Sequence, residues 1–468
     1  MLDTGAGADR AGGGPKLRAA RAMKIVILLS NAPCPKGEAI EVVGHEVVEK
    51  ALQLGHSVLL QVILRDSRGS GPAKQAEQTL REMNLPGLVV CPMLYVEDVT
   101  PAPSDRGLIA RTGRWCGALT LRRLFPAAGL GPVLERRVRE AGADAIVSIW
   151  SWEALAATYR ISGVPKFVYY GNPDHLPMQA RLRHPDLFNL PLSSIKDRLF
   201  WRFERVRNER RKRVNIRMMN ACEVTANNSR LDAEFYREHG HPHSIYLQNM
   251  WPPVKETPRV DCRSDAQPTS VKIIGSVGNL GATGNTFALT YLGRELLPRL
   301  AARFTDRPFE IHLLGKGTPS AAAAAALKDP RVKIRGWVED IHEEFRSASS
   351  FLVLTNVSAD FLVGNTRILL AWALGTCVIM HENSRLAMPE IEQGVNALLG
   401  RTPDELADWI VKAAGDEPLR TRIGQGGKQT FEAYYRSDVV VPKMFDLVQD
   451  MVDRYRAVLA PAGGSAGR

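Results

Sequence analysis

Residues 350–399 read SFLVLTNVSADFLVGNTRILLAWALGTCVIMHENSRLAMPEIEQGVNALL, and the order of apolar and polar runs in them decides the fold class. An apolar run, Phe351–Leu354, ends in a polar loop. Gly364-Asn365-Thr366-Arg367 then leads into Ile368–Leu374, whose length and apolar periodicity predict a helix stopped by Gly375. A second apolar run, Cys377–Met380, follows, and the next loop carries Pro389-Glu390 and Gly394-Val395-Asn396. Strand, loop, helix, strand, loop is the grammar of an α/β sheet. Asn365 and Thr366 are candidate N-caps. Free N–H groups at a helix start attract anions, and Arg367 adds a fixed positive charge beside them. The stretch reads as a phosphate cradle.

The rest of the chain sets bounds on that reading. At 468 residues it exceeds one ordinary domain, so two α/β domains are expected. Apolar residues make up 45% and charged residues 24%, a balance that supports real cores and excludes a disordered body. The longest apolar stretch, Ile368–Met380, is interrupted by Gly375-Thr376 and too short to span a bilayer, so no transmembrane helix is expected. Cysteines at 34, 91, 116, 222, 262 and 377 form no Cys-x-x-Cys pair and suit free thiols in a cytoplasm. The net charge of +11 points to an anionic partner and leaves nucleotide, nucleic acid and acidic lipid open. Residues 1–22 are Gly/Ala-rich without the apolar core of a secretory signal, and are expected to be a disordered extension, as is the tail 460–468.

In the first half, Lys24–Leu29, a helical pattern from Val42 to Leu52, and His56–Val62 make one βαβ unit, with Gly37 in the loop before the helix. Further strand-like runs are 88–94, 144–150 and 166–171, so a parallel sheet is expected. Asp174 and His175 follow the last of these, at a carboxyl strand end where open α/β sheets bind ligands. The pair suits acid–base or hydrogen-bonding work on a sugar; a Pro-rich turn with an Asp cap fits the same residues equally well. His45-Glu46 begins like His-Glu-x-x-His, but position 49 is Glu, so no zinc site is expected, and His239-Gly-His-Pro-His243 reads as a solvated turn. Trp201–Arg217 carries eight Arg/Lys against two Glu with apolar residues interspersed. A solvated helix face is the plainer reading, and an anionic membrane surface is the alternative. Nucleic acid is not expected, because no recognition module accompanies the charge.

A Pro- and charge-rich linker, 256–270, separates the halves. Val271 opens a strand, after which Gly275, Gly278, Gly281 and Gly284 recur every third residue. This is not Gly-x-Gly-x-x-Gly, but it lets the backbone approach a ligand closely. Gly315-Lys316-Gly317 lacks P-loop spacing, yet Lys316 is placed to reach a phosphate.

From Gly275 to Leu399 the chain resembles the donor half of retaining GT-B glycosyltransferases (glycosyl transferases group 1, family 4 type). The resemblance is carried by Ser276–Gly281, Leu313–Gly317, Val332–Asp340, Arg367–Gly375 and Pro389–Leu399. It implies two doubly wound, Rossmann-like α/β domains facing a central cleft, at 23–255 and 271–440, with a last helix, 441–459, crossing back to the first. It implies a nucleotide-sugar donor of UDP or GDP type, with no other cofactor and no metal; no Asp-x-Asp occurs in the chain. Gly336, Trp337 and Val338 would lie by the base. Gly278, Asn279 and Gly281, with Asn365, Thr366 and Arg367, would face diphosphate and sugar, and Gly315 and Glu390 would complete the donor pocket. Lys316 would neutralise the leaving diphosphate. Retaining, metal-independent transfer to a glycan or lipid-linked acceptor of the cell envelope or an exopolysaccharide is the expected activity, in the cytoplasm or at the inner face of the membrane.

One departure bears on that activity. Two glutamates eight positions apart are common in such enzymes, and here their places hold Leu362 and Leu370, neither able to accept a hydrogen bond. Asp360 stands near enough to replace the first. A non-catalytic nucleotide-sugar-binding or scaffold protein and a non-hydrolysing nucleotide-sugar epimerase share the architecture and are the alternatives.

Overall fold

The structure, a computed structural model, describes residues 21–100, 124–254 and 270–459. The expected extension, linker and tail therefore lie outside the described residues, save 21, 22 and 270.

The first sheet contains β1 (Lys24–Leu29), β2 (Ser57–Leu64), β3 (Leu88–Val90), β4 (Leu94–Tyr95), β5 (Ala145–Ile149), β6 (Lys166–Tyr170), β7 (Val224–Asn227) and β8 (Ser244–Tyr246). Their order is β3-β2-β1-β5-β6-β7-β8, with β4 also beside β2, and every pairing is parallel. All five residues of β5 and of β6 are buried, as they must be in a parallel sheet covered by helices on both faces. The run 88–94, expected as one strand, is two short ones. Pro92 between them has no N–H for a ladder, and its carbonyl accepts hydrogen bonds from the side chains of Gln61 and Arg137 instead.

The second sheet contains β9 (Val271–Val277), β10 (Phe309–Leu314), β11 (Val332–Gly336), β12 (Ser350–Val353), β13 (Val378–His381) and β14 (Leu398–Gly400), in the order β11-β10-β9-β12-β13-β14. The three-residue β14 escapes a periodicity reading because it is shorter than one apolar alternation. The chain grows outward in one direction from β9 and, after β11, in the other from β12, so a topological switch point lies between β9 and β12. Loops leaving these two strands open at the same spot, and that is where a ligand crevice forms.

The two sheets are not independent. The final helix, Ser437–Leu459, buries Val440, Met444, Val448 and Val452 in the same core as Ile25, Ile27, Val43 and Val47 of the first domain. Trp251 and the 435–437 segment exchange backbone hydrogen bonds of 2.9 Å where the chain crosses between domains. Glu46, on helix Ala39–Gln53, accepts a hydrogen bond from the Ser437 hydroxyl at the start of the final helix. Next to the crossing, both oxygens of Glu390 are occupied: Oε2 accepts from Tyr246 at 2.9 Å and Tyr435 at 2.6 Å, and Oε1 from Gln248 at 2.9 Å. Three donors from two segments hold this one carboxylate. Glu390→Ala leaves two phenols and an amide without their acceptor, and is expected to lower stability by about 2–4 kcal/mol, read as a lower urea midpoint, whereas Glu390→Gln keeps an acceptor and loses less.

Candidate active site

At the switch point the loops after β9, β10 and β11 are laced together through backbone. Gly278 N–H donates to the Leu314 carbonyl at 2.9 Å, Leu280 N–H to that of Lys316 at 2.8 Å, and Gly315 N–H to that of Gly336 at 2.7 Å. A Cβ on Gly315 would sit 2.1 Å from the Gly278 carbonyl oxygen, and both residues have positive φ, at +120° and +98°. Glycine is therefore required at both by contact and by conformation. Asn279 turns its side chain back to accept from Gly281 N–H at 3.0 Å. Asn285 donates to the Asn279 carbonyl at 2.7 Å and so fixes the far side of the turn.

Arg367 reaches this turn from the first position of the helix that follows the loop after β12. Its guanidinium donates to Asn285 Oδ1 at 2.7 Å, and Nε would lie 3.2 Å from a Cβ on Gly278. No charged group opposes it: burial alone pulls its pKa down to about 10, so it stays protonated at neutral pH with no carboxylate partner among the described residues. A cation walled by protein and left without a counter-ion is an anion site in waiting.

The helix that follows is not the source of that site. It covers Arg367–Ala373, and Thr366 at its N-cap is in the right-handed helical region with no side-chain cap. The expected capping by Thr366 fails because its hydroxyl accepts from Asn249 Nδ2 at 2.8 Å, on the other side of the cleft. Asn365 N–H is turned to Met388 Sδ at 3.3 Å, and its Oδ1 accepts from Thr355 at 2.6 Å.

The remaining predicted residues are distributed as follows. Lys316 bonds Glu38, at the start of helix Ala39–Gln53, so it spans the cleft rather than standing free beside Arg367. Gly336 turns at φ +68°, and Trp337 beyond it is 73% exposed on a surface groove of about 600 Å³ that it shares with Val338, Arg335 and Asp340 and that is lined only by second-domain residues between Ile334 and Glu344. Asp174 is ion-paired with Arg211 at 3.2 Å, and burial raises its pKa against the pull of Arg211 and Arg65. His175 is 2% exposed, packs on Phe235, and is driven by burial to a pKa of about 4, so it is neutral at pH 7. The pair is enclosed within the first domain. Glu390 is held by the three donors described above.

Sequence reading singled out Asp360 but missed the contacts by which it closes the cleft. Asp360 accepts from Arg183 at 2.5 Å and is 2.7 Å from His184 Nε2, both in the first domain. Beside this contact Phe287, Phe361 and Val363 of the second domain pack with Ala180, Leu176, Leu187 and Phe188 of the first. Leu370 is buried in the second domain's core, and Leu362 is half-buried in the same loop. Asp360 is thus an interdomain partner, not a free replacement for a missing glutamate. Among the described residues His45, Glu46 and Glu49 lie close enough together to share a cation, but Glu46 already serves Ser437.

Residues 271–416 match the family model described as glycosyl transferases group 1. The structure is similar to sucrose-phosphate synthase from Thermosynechococcus elongatus, with a TM-score of 0.61 and 13% identity over 92% of this chain and 100% of that one. It is also similar to HepE from Anabaena, solved with UDP and glucose (TM-score 0.58, 15% identity, 91% of this chain and 99% of that one). A glycosyltransferase from Rickettsia africae gives 0.56 and 12% over 92% and 99%. At these identities the likeness is one of fold, and the fold is GT-B: two parallel α/β sheets on either side of a cleft. No curated protein matches the chain in sequence. The matched segment contains Arg367 and all three glycine turns around it.

The Asp360 contact gives the GT-B cleft a pH dependence. The His184 hydrogen bond first, then those of Arg183, holds the carboxyl below its usual range. A depressed carboxylate pKa stabilises the closed contact above the free value, roughly 4, and the contact weakens as pH falls through the depressed one. Amide protection factors in helix Leu176–Arg183, measured against the intrinsic rate at each pH, should therefore fall as pH drops below roughly 4, and Asp360→Asn should show the lower protection already at neutral pH.

Proposed function

We propose that the protein transfers a sugar from a nucleotide-sugar donor to a glycan or lipid-linked acceptor, in cell-envelope or exopolysaccharide synthesis. The observation that carries this reading is Arg367, an unpaired guanidinium held by Asn285 over the Gly278–Gly281 turn at the switch point. A donor diphosphate fits there: charge that builds on it as the glycosidic bond breaks meets a fixed cation and backbone approachable at two glycines. Asn279, Asn365 and Thr366 border the same place, and Lys316 reaches it once it releases Glu38. The base is assigned to Gly336–Val338, where Trp337 offers an exposed ring. The complex of HepE with UDP supports a UDP-type donor. Retention at the anomeric carbon and independence of metal are part of the proposal.

Binding without turnover is the second reading, favoured by Leu362 and Leu370 and by the apolar packing of Phe287, Phe361 and Val363 across the cleft. Both readings expect nucleotide to raise the melting temperature, so turnover decides between them. A screen of nucleotide sugars against lipid-linked and soluble glycan acceptors should give transfer or slow donor hydrolysis. Binding with neither outcome establishes the second reading, and sugar isomers formed without acceptor would point to epimerisation. Arg367→Ala removes charge-assisted hydrogen bonds to phosphate and should weaken nucleotide binding about 10- to 100-fold. Unchanged affinity would remove Arg367 from the site.

A further inference from the structure

The first domain carries a second concentration of positive charge, separate from Arg367. Helix Ile195–Asn220, begun by a reciprocal Ser194–Asp197 cap, holds ten Lys/Arg against three Asp/Glu. Carboxylates pair with Arg207, Arg211 and Arg213, whereas Arg202, Arg205 and Arg210 have no such partner among the described residues. Arg205, Arg210, Lys212 and Arg213, with Arg183 of the short helix Leu176–Arg183, line a groove of about 800 Å³ in which Glu209 is the one carboxylate.

The start of the same helix and the turn before it are apolar on their outside. Five of the fourteen large apolar residues exposed among the described residues fall between Leu192 and Val206: Leu192 at 38%, Ile195 at 77%, Leu199 at 56%, Phe200 at 47% and Val206 at 53%. Ile195, Leu199 and Val206 share one helix face by their spacing of four and seven, and Val206 also lines the groove. Exposed apolar side chains thus run continuously into unpaired cations. Nucleic acid would satisfy the arginines but leave Ile195, Leu199 and Phe200 in water. A surface that is anionic at its face and apolar just beneath satisfies both.

We propose that this helix docks the protein on an anionic phospholipid bilayer, with Ile195, Leu199 and Phe200 below the headgroups and lipid phosphates in the groove of Arg205, Arg210 and Arg213. The docking face extends beyond the basic run 201–217 toward the helix start, because the apolar anchors lie there. Arg183 joins the groove to the cleft, since it also bonds Asp360 of the second domain. Docking therefore brings the cleft mouth to headgroup level, where a lipid-linked acceptor presents its sugar; this last consequence rests on the transferase reading, and the docking does not.

Co-sedimentation with vesicles of phosphatidylcholine, with and without phosphatidylglycerol, tests it. The protein is expected to bind the mixed vesicles at low salt, to ignore the neutral ones, and to be released as salt rises. Arg205→Ala and Arg210→Ala should each weaken binding about fivefold, and Leu199→Asp about tenfold, with unchanged melting temperatures because all three side chains are exposed. Turnover of soluble acceptors should be unaffected in these variants, so loss of vesicle binding leaves the transferase reading untouched. No binding to mixed vesicles overturns the proposal. So does binding indifferent to Leu199→Asp, full competition by inorganic phosphate, or preference for duplex DNA, each of which makes the groove a site for charge alone.

Discussion

Glu390 is where the two halves of the molecule are fastened. A carboxylate drawn partly out of water must be met by donors, and here Tyr246 at the end of β8, Gln248 just beyond it, and Tyr435, before the final helix, provide them. The loop carrying Glu390 belongs to the second sheet, so one charge ties three chain segments. Once that knot is made, the carboxyl ends of both sheets face each other, and their loops touch at Lys316 with Glu38, Thr366 with Asn249, and Asp360 with Arg183 and His184. Each of these contacts joins one domain to the other.

The cations of the cleft divide by what they hold. Lys316 and Arg183 keep carboxylates and sit toward water, where such pairs contribute little and exchange readily. Arg367 keeps only an amide oxygen and is walled by protein. A fixed charge of that kind is already oriented before an anion arrives, so little reorganisation accompanies binding. Where carboxylates would be expected to meet the sugar, Leu370 belongs instead to the second domain's apolar core, Leu362 is half-buried, and Phe361 and Val363 on either side of it pack across the cleft. The phosphate end of the cleft is polar and preorganised; the neighbouring part is packed.

What the amino-acid sequence revealed follows the range of the interactions involved. Alternation of apolar runs with Gly-rich turns is local, and it located β1, β2, β5, β6, β9, β12 and β13, the switch-point glycines and Arg367. The split at Pro92 and the short β14 escaped because one proline and three residues carry no period. The roles of polar side chains depend on partners far along the chain. Nothing around Thr366 announces Asn249, nothing around Asp360 announces His184, and nothing around Glu390 announces Tyr246 and Tyr435. Asn285, which positions Arg367, lay beside Gly284 in a motif read only for its glycines. His175 looked available from its place after a strand, but burial against Phe235 is a property of the folded domain.

The membership of the final helix in the first domain's core has a consequence for how the chain is made. Val440, Met444, Val448 and Val452 complete a core whose other members were synthesised from Ile25 onward. On a ribosome working at roughly 5–20 residues per second, the earlier apolar faces wait on the order of 10–40 s after residue 254 before their cover emerges. Helix Ala39–Gln53 spends that interval with one flank open, in the company of whatever binds nascent apolar surface. The second domain, closed on itself between 271 and 436, has no such wait. In this molecule the domain synthesised later is the one able to finish first.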